Sequence, residues 1–204
     1  MPKSWLSELR RRPIIAAVRD ENALGAALAS RSAVVFLLSG NLLNIEQMVQ
    51  RVRREERAAF VHVDLIEGLT KDQHGLRWLA ERARPTGIIS TRGSVLSAAG
   101  SLGLATVQRL FLLDSQSVRT GLESANNVRP DVIEVLPGIL PAAIADIWHR
   151  SGRPVIAGGM IISRQQVCTA LDAGARGVSA SNQELWDLEL DARCLSSATE
   201  RPVQ

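Results

Sequence analysis

Eight short apolar runs recur along the chain, and each is followed by a longer segment in which apolar and polar residues are mixed. The runs are rich in β-branched residues and nearly continuous in apolar character. This pattern is typical of parallel strands that are covered by helices. We therefore predict strands over residues 13–18, 33–38, 59–64, 87–90, 105–111, 131–136, 154–157 and 177–179.

The segments between these runs have helical periodicity. From Ile45 onward, apolar residues follow at spacings of three, four and seven, which places them on one face of a helix. Ser163 with Gln166, and Ser181 with Glu184, have the spacing of a capping box. We therefore predict that helices begin directly after the seventh and the eighth strands.

Eightfold alternation of strand and helix favours a closed parallel barrel. We predict a small (β/α)8 TIM barrel with phosphate-binding C-terminal units, formed as a single domain by residues 1–190 and followed by a loose tail at 191–204. An open doubly wound sheet is the alternative, but no Gly-x-Gly-x-x-Gly follows the first strand. Before that strand, Trp5, Leu6 and Leu9 predict a short helix that covers the barrel floor, the end where the strands begin.

Charge and hydropathy narrow the classes of partner. The net charge is +3, and Lys3 and Lys71 are the only lysines, so the basic side chains are nearly all arginine. This balance permits an anionic partner without requiring one. No apolar stretch approaches the roughly 20 residues that span a bilayer, and the first residues lack the apolar region of a signal peptide. We expect a cytoplasmic protein with no membrane partner.

The residues that bind metals or form disulfides show no specific spacing. Cys168 and Cys194 match no metal-binding or redox motif, so we expect unpaired thiols in a reducing compartment. Four acidic residues could together hold magnesium, but their spacing is not specific: Asp64, Glu67, Asp114 and Glu134. We therefore predict neither a metal nor a cofactor.

In a barrel of this kind, functional residues lie at the mouth, the end where the strands finish. Alternation along the third predicted strand turns His62 and Asp64 inward, and the same count turns Glu134 inward. In the fifth strand either Gln108 or Arg109 can be the inward residue. The candidate ligand-binding residues are Arg19, Asp64, Glu67, Gln108, Arg109, Glu134, Gly158, Gly159, Ser179 and Ser181.

The last two units carry the most specific signal in this set. Gly158 and Gly159 follow the seventh run, and Ser179 and Ser181 end the eighth. Bare backbone at a strand tip can approach an anion, and the free N–H groups of the following helix point at it. Phosphate-binding barrels commonly hold their anion at this corner, so we predict a phosphate site there.

Each of these residues also has a purely structural interpretation. His62 is compatible with a hydrogen-bonded core histidine, and Asp64 and Glu134 with partners of interior arginines. The two glycines fit a tight turn, and Ser181 fits a helix cap. A buried carboxylate still needs a cation, a hydroxylated ligand or a metal, because burying it alone is costly.

Catalytic signals are missing, and nucleic-acid signals are weak. No serine–histidine–acid set, cysteine nucleophile or Schiff-base lysine stands out, so we predict no catalytic residue. The second helical segment carries Arg51, Arg53, Arg54 and Arg57, which are weak candidates for contacts with an RNA backbone. An ordinary solvated helix face with interspersed glutamates is the alternative.

Several strings of the chain are specific enough to compare with a known family. The specific strings are FVHVDLIEGL at 60–69 and QRLFLLDS at 108–115, and they are supported by PIIAAV at 13–18, GIIST at 87–91, IEVLPG at 133–138 and IAGG at 156–159. Together they resemble one family of regulators, the glycerol-3-phosphate-responsive antiterminators of bacterial glycerol uptake operons. The resemblance runs from about Pro13 to Trp186. Two positions depart from the family pattern: Arg92 stands where lysine is expected, and Ala180 where serine or threonine is expected.

The resemblance implies a barrel that senses glycerol 3-phosphate and binds the leader mRNA of a glycerol operon. In that family the liganded protein prevents premature termination, and it has no catalytic duty. Two other functions remain open on the residues: an isomerase, aldolase or synthase with Asp64 or Glu134 as acid or base, and a sensor that acts through a protein partner. A homodimer would enlarge the weak basic patch.

Overall fold

The computed structural model describes residues 4–191 and Cys194, and it contains a closed barrel of eight parallel strands. The strands pair in chain order, and the last closes on the first. The predicted fold class is confirmed, and each predicted strand ends within two residues of an observed one. The strands are β1 (Ile14–Val18), β2 (Val34–Leu37), β3 (Ala58–His62), β4 (Gly87–Ser90), β5 (Ala105–Phe111), β6 (Val132–Leu136), β7 (Val155–Gly158) and β8 (Gly177–Ala180).

One helix precedes the first strand, and the helices that follow the strands surround the barrel. They are α1 (Ser4–Arg11), α2 (Glu21–Ala29), α3 (Ile45–Arg54), α4 (Gln73–Trp78), α5 (Gly93–Ser101), α6 (Ser115–Val128), α7 (Pro141–Ser151) and α8 (Arg164–Asp172). A π-helical turn, Leu79–Ala83, continues α4, and a 3-10 turn, Val63–Leu65, follows β3. In the described part of the chain, no helix is long and apolar enough to cross a membrane.

The two capping predictions had different outcomes. Ser163 is the N-cap of α8, and its side chain accepts a hydrogen bond from the amide of Gln166. After β8, however, the chain forms only the 3-10 turn Gln183–Leu185, which is capped by Asn182. The predicted helix at Ser181 is wrong because the indole of Trp186 donates to the carbonyl of Ala180 and turns the chain back after one turn.

The buried residues form two layers. One layer lies between the strands and the surrounding helices. The other fills the inside of the barrel, where Phe36 and Phe60 pack with smaller apolar residues, and Trp5 and Leu9 of α1 close the floor. The rings of Trp5 and Phe60 are 4.6 Å apart. The prediction that the N-terminal helix covers the floor is therefore confirmed.

Cys168 and Cys194 form a disulfide between α8 and the segment that follows β8. The expectation of unpaired thiols is therefore wrong for this structure. The reason is tertiary: Asp187 accepts a hydrogen bond from the amide of Arg31, and Arg164 donates to a carbonyl of the same segment, so the chain runs back along the helices to α8. The remainder of the predicted loose tail, 192–193 and 195–204, lies outside the described residues.

Candidate ligand-binding site

A buried ion pair lies at the carboxyl end of the barrel interior. Arg109 on β5 and Glu134 on β6 are register partners, and the Nε of Arg109 donates to Oε2 of Glu134 at 2.7 Å. Glu134 is fully buried and the Arg109 side chain is 8% exposed. Ala105 and Val107 belong to the interior layer, and Arg109 follows them on the same side of β5. The structure therefore selects Arg109 as the inward residue.

Gln108 faces the other side of β5. Its Nε2 donates to the carbonyl of Gly121 on α6 at 3.1 Å, in the layer between the sheet and the helices. The sequence could not separate Gln108 from Arg109, because both neighbours are polar and the strand is buried on both faces. The structure removes Gln108 from the set of residues at the mouth.

Ser179 and Gly158 complete the surroundings of Glu134. The hydroxyl of Ser179 donates to Oε1 of Glu134 at 2.6 Å, so each carboxylate oxygen has a partner. Gly158 is the register partner of Ser179. A Cβ at Gly158 would lie 2.5 Å from the Ser179 hydroxyl and 2.7 Å from Glu134, so only glycine leaves room for this contact. Four predicted residues thus come together: Arg109, Glu134, Gly158 and Ser179.

Asp64 occupies a second polar cluster, just beyond the end of β3. It accepts hydrogen bonds from the hydroxyl of Ser90 at 2.8 Å, the amide of Thr91 at 3.0 Å and the guanidinium of Arg92 at 2.7 Å. Burial by itself would raise the pKa of Asp64, but these hydrogen bonds outweigh it and hold that pKa below its usual value. Asp64 is therefore ionised and already paired.

His62 lies between the two clusters. Its side chain is 4% exposed, and Nδ1 is 4.0 Å from the carboxylate of Asp64. Nδ1 has no hydrogen-bond partner in the described part of the chain. Burial, and then the charge of Arg109, lower the pKa of His62 to about 4, and Asp64 only partly opposes this. The ring is therefore neutral at pH 7. The structural interpretation of His62 was a hydrogen-bonded core histidine; the side chain is buried, but its Nδ1 makes no hydrogen bond within the described residues.

The remaining candidates line the rim of the mouth. Arg19, Glu67 and Ser181 are exposed, and the backbone of Glu67 pairs with the loop after β2. Gly159 has a φ of +72°, a left-handed conformation that favours glycine. Its carbonyl accepts a hydrogen bond from the amide of Gly138 at 3.1 Å, so the glycine pair also joins two loops.

These contacts favour anion binding over acid–base catalysis. Both oxygens of Glu134 and the carboxylate of Asp64 already accept hydrogen bonds, so neither residue presents a free base. The Nε of Arg109 donates to Glu134, and within the described residues its two Nη groups make no hydrogen bond. A fixed guanidinium with free N–H groups is suited to a phosphate. Among the described residues, no group of three or more His, Cys, Asp and Glu side chains could hold a metal ion.

The predicted arginine surface is smaller than expected. Arg51 pairs with Glu21 of α2 at 2.5 Å. Arg57 lies beyond α3, and its guanidinium donates to four backbone carbonyls at the end of α2, so it does not present a free cation. Arg53 and Arg54 are exposed at the end of α3. The sequence groups Arg57 with the other three arginines because they are close along the chain. The contact of Arg57 with the end of α2 is not visible in the sequence.

Comparison with known proteins identifies the family. A family model described as glycerol-3-phosphate responsive antiterminator matches residues 14–186. The chain belongs to this family. The match covers nearly the same residues as the resemblance seen in the sequence, and that resemblance is therefore confirmed.

Two solved structures agree with this assignment, and one further protein is similar in sequence. A crystal structure of a glycerol uptake operon antiterminator regulatory protein from Listeria monocytogenes is 31% identical, with a TM-score of 0.84 over 87% of this chain and 96% of that one. A glycerol uptake operon antiterminator-related protein from Thermotoga maritima is 30% identical, with a TM-score of 0.77 over 87% and 99%. The Escherichia coli K12 protein YgcP, described as uncharacterized, is 34% identical over 180 residues, 88% of this chain and 94% of that protein.

Proposed function

We propose that this member of the antiterminator family senses glycerol 3-phosphate at its barrel mouth and, when liganded, binds the leader mRNA of a glycerol operon. Binding favours the RNA-competent state because the ligand has a higher affinity for that state. The proposed role is regulatory and not enzymatic. Because it acts on a nascent bacterial transcript, we place it in the cytoplasm.

The observation that carries the ligand proposal is the position of Arg109. Glu134 holds its guanidinium at the carboxyl end of the barrel, and the two Nη groups are left for a second anion. A phosphate dianion would accept these N–H groups, with the backbone at Gly158 and Gly159 close by. The low dielectric around a largely buried arginine strengthens such a contact. The uncharged glycerol end of the ligand would face Asp64, whose carboxylate would accept hydrogen bonds from the glycerol hydroxyls.

Thermal unfolding with two small molecules tests this site. We expect glycerol 3-phosphate to raise the melting temperature and glycerol to leave it unchanged, because only the first carries the phosphate. Equal shifts from both compounds, or none from either, would count against the proposal.

A charge-preserving substitution sharpens the ligand test. Arg109→Lys keeps the positive charge but loses the planar fork, so we expect the shift with glycerol 3-phosphate to shrink. Arg53→Lys, on the exposed end of α3, is the matched control and should keep the full shift. If the two variants respond alike, Arg109 does not bind the ligand.

RNA binding is tested by titrating a leader RNA at several salt concentrations. Arg54→Ala should weaken binding and flatten the dependence of affinity on salt, because fewer counterions are released. Arg77→Ala, an exposed arginine on α4, is the matched control. An unchanged salt slope for Arg54→Ala would return α3 to the status of an ordinary solvated helix.

Turnover would overturn the regulatory assignment. The chain is incubated with triose and pentose phosphates, and product formation is compared between the native protein and Glu134→Gln. We expect no product from either, because both oxygens of Glu134 are already occupied by Arg109 and Ser179. A rate that disappears in Glu134→Gln would make the protein an enzyme.

A further inference from the structure

In the part of the chain that the structure describes, large apolar side chains are exposed at one end of the barrel only. Within the described residues, every one of them lies at the end of a strand or in the loop that follows it, on the mouth side: Leu42, Leu43, Leu65, Phe111, Leu113, Ile139, Leu140, Met160 and Ile162. Single exposed apolar residues are normal on a protein surface, but a cluster on one face indicates an interaction site.

Six of these residues lie in three neighbouring loops, and we call this set the mouth arc: Phe111, Leu113, Ile139, Leu140, Met160 and Ile162. They come from the ends of the neighbouring strands β5, β6 and β7. Backbone hydrogen bonds join the three loops, from the amide of Leu112 to the carbonyl of Leu136 at 2.7 Å and from the amide of Gly138 to the carbonyl of Gly158 at 2.6 Å. The mouth arc is therefore a built surface and not three independent loops.

Met160 shows how firmly this surface is held. Its φ is +61°, a left-handed conformation that is unusual for a residue with a side chain, and the residue is 69% exposed. Such a conformation persists only where the surrounding structure imposes it. The backbone here keeps a large apolar side chain in solvent.

The chemistry of the mouth arc favours a protein partner. In the three loops that carry it, 111–114, 136–141 and 159–163, Asp114 is the only charged residue. Its carboxylate is already used to cap α6, where it accepts from the amide of Ser117 at 2.7 Å. An RNA backbone or an acidic membrane needs basic residues, and stacked bases need several aromatic rings, whereas the arc has only Phe111. Few charges are typical of the centre of a protein interface.

We propose that the mouth arc is the surface through which two copies of this chain form a two-fold dimer. A two-fold axis places the same patch of each copy against the other. Because the only charged residue of these loops is engaged within its own chain, two facing arcs create no contact between like charges.

The size of the mouth arc also fits this partner. Its six residues are each between 38% and 81% exposed, so they can supply the apolar centre of the roughly 800 Å² that each partner contributes to a standard interface. Polar atoms at the rim would supply the remainder.

Sedimentation equilibrium of the full chain over a wide concentration range tests the proposal without any ligand. We expect the native protein to have the mass of two chains. Leu113→Asp and Ile162→Asp place a carboxylate in the proposed interface from two different loops, and each should raise the dissociation constant by at least about thirtyfold. Leu43→Asp is the matched control, because Leu43 is 93% exposed and follows β2, outside the mouth arc. It should remain a dimer.

Three results would overturn the proposal: a native protein that is monomeric at every concentration, arc variants that stay dimeric, or equal dissociation of Leu43→Asp. Circular dichroism melts first establish that each variant is folded, and the use of two loops keeps the test informative if one variant is not. The proposal does not depend on glycerol 3-phosphate, so the ligand site and the dimer can fail separately.

Discussion

Arg109 and Glu134 are stable in the barrel interior only as a pair. Glu134 is fully buried and Arg109 nearly so, and an ion removed from water is costly unless a counter-charge and hydrogen bonds replace the solvent. The hydroxyl of Ser179 supplies the remaining bond. The pair therefore has two roles: it completes the polar layer of the barrel, and it fixes the arginine that is proposed to bind phosphate.

Replacing Glu134 should show how costly the unpaired charge is. Glu134→Gln keeps the shape but leaves Arg109 without a counter-charge, so we expect the free energy of unfolding to fall by about 3–5 kcal/mol. Urea denaturation measures the loss. The double variant Arg109→Met, Glu134→Gln removes both charges and should recover part of it. A single variant as stable as the native protein would contradict this account.

His62 predicts a pH dependence of stability. Its pKa is 6.5 when unconstrained and about 4 in the folded protein, so between these values the unfolded chain binds a proton that the folded chain does not. The contribution of His62 to the free energy of unfolding should be fully present above about pH 6.5 and should fall as the pH decreases. The loss should reach the order of 3 kcal/mol once the pH is below 4.

Chemical denaturation across this pH range measures the effect, with His62→Asn as the control that cannot titrate. The pKa of Asp64 lies below its usual value, and its own contribution is lost only at lower pH. If the curves of the native protein and His62→Asn remain parallel from pH 7 to pH 4, the assignment to His62 is wrong.

The end of α2 depends on a side chain from a different part of the chain. The last carbonyls of a helix have no partner within the helix. The guanidinium of Arg57 is a hydrogen-bond donor to carbonyls at and just beyond the end of α2. Its Nη1 donates to the carbonyls of Ala27 and Ser32, at 2.6 and 2.9 Å, and its Nη2 donates to the carbonyls of Leu28 and Ser30, both at 2.8 Å. Burial lowers the pKa of Arg57. One of the four arginines predicted as weak RNA contacts is therefore a structural clamp on the end of α2.

The two arginines that flank Glu55 and Glu56 should therefore behave differently on substitution. Arg57→Ala removes charge-assisted hydrogen bonds to partly buried carbonyls, so we expect a loss of about 2 kcal/mol or more in the free energy of unfolding. Arg54→Ala, on the exposed end of α3, should change stability by less than about 0.5 kcal/mol. Guanidinium denaturation of both variants measures this difference, and equal effects would contradict the clamp.

The disulfide between Cys168 and Cys194 closes a loop across a sequence separation of 26 and ties the segment after β8 to α8. A crosslink of this length should stabilise the folded state by about 3 kcal/mol, mainly by restricting the unfolded chain. A reductant should therefore lower the melting temperature of the native protein and leave the variant with serine at both positions unchanged. The same melting temperature before and after complete reduction, verified by thiol titration, would contradict this.

The disulfide also bears on where the protein works. A bacterial cytoplasm keeps most thiols reduced, and the proposed action on a transcript requires that compartment. Thiol alkylation of the protein directly after cell lysis would show which state is present. The barrel itself does not need the bond, because its strands close through backbone hydrogen bonds from β8 to β1.

At the scale of the whole molecule, the strands were predictable because their signal is local. A buried parallel strand is apolar on both faces, so β1 and β2 are readable from the chain without reference to their neighbours. The helix after β8 was predicted wrongly because capping spacing marks where a helix can begin, while the contact of Trp186 with Ala180 determines that it does not continue.

The amino-acid sequence by itself determined the barrel, the inward direction of Glu134 and the family, since periodicity and residue strings are properties of the chain. Only the tertiary structure decided which residues the polar groups meet. Arg109 reaches Glu134 across 25 residues, and Ser179 reaches it across 45. Contacts at these separations depend on strand register and on helix ends brought alongside each other, and neither is encoded in the local pattern.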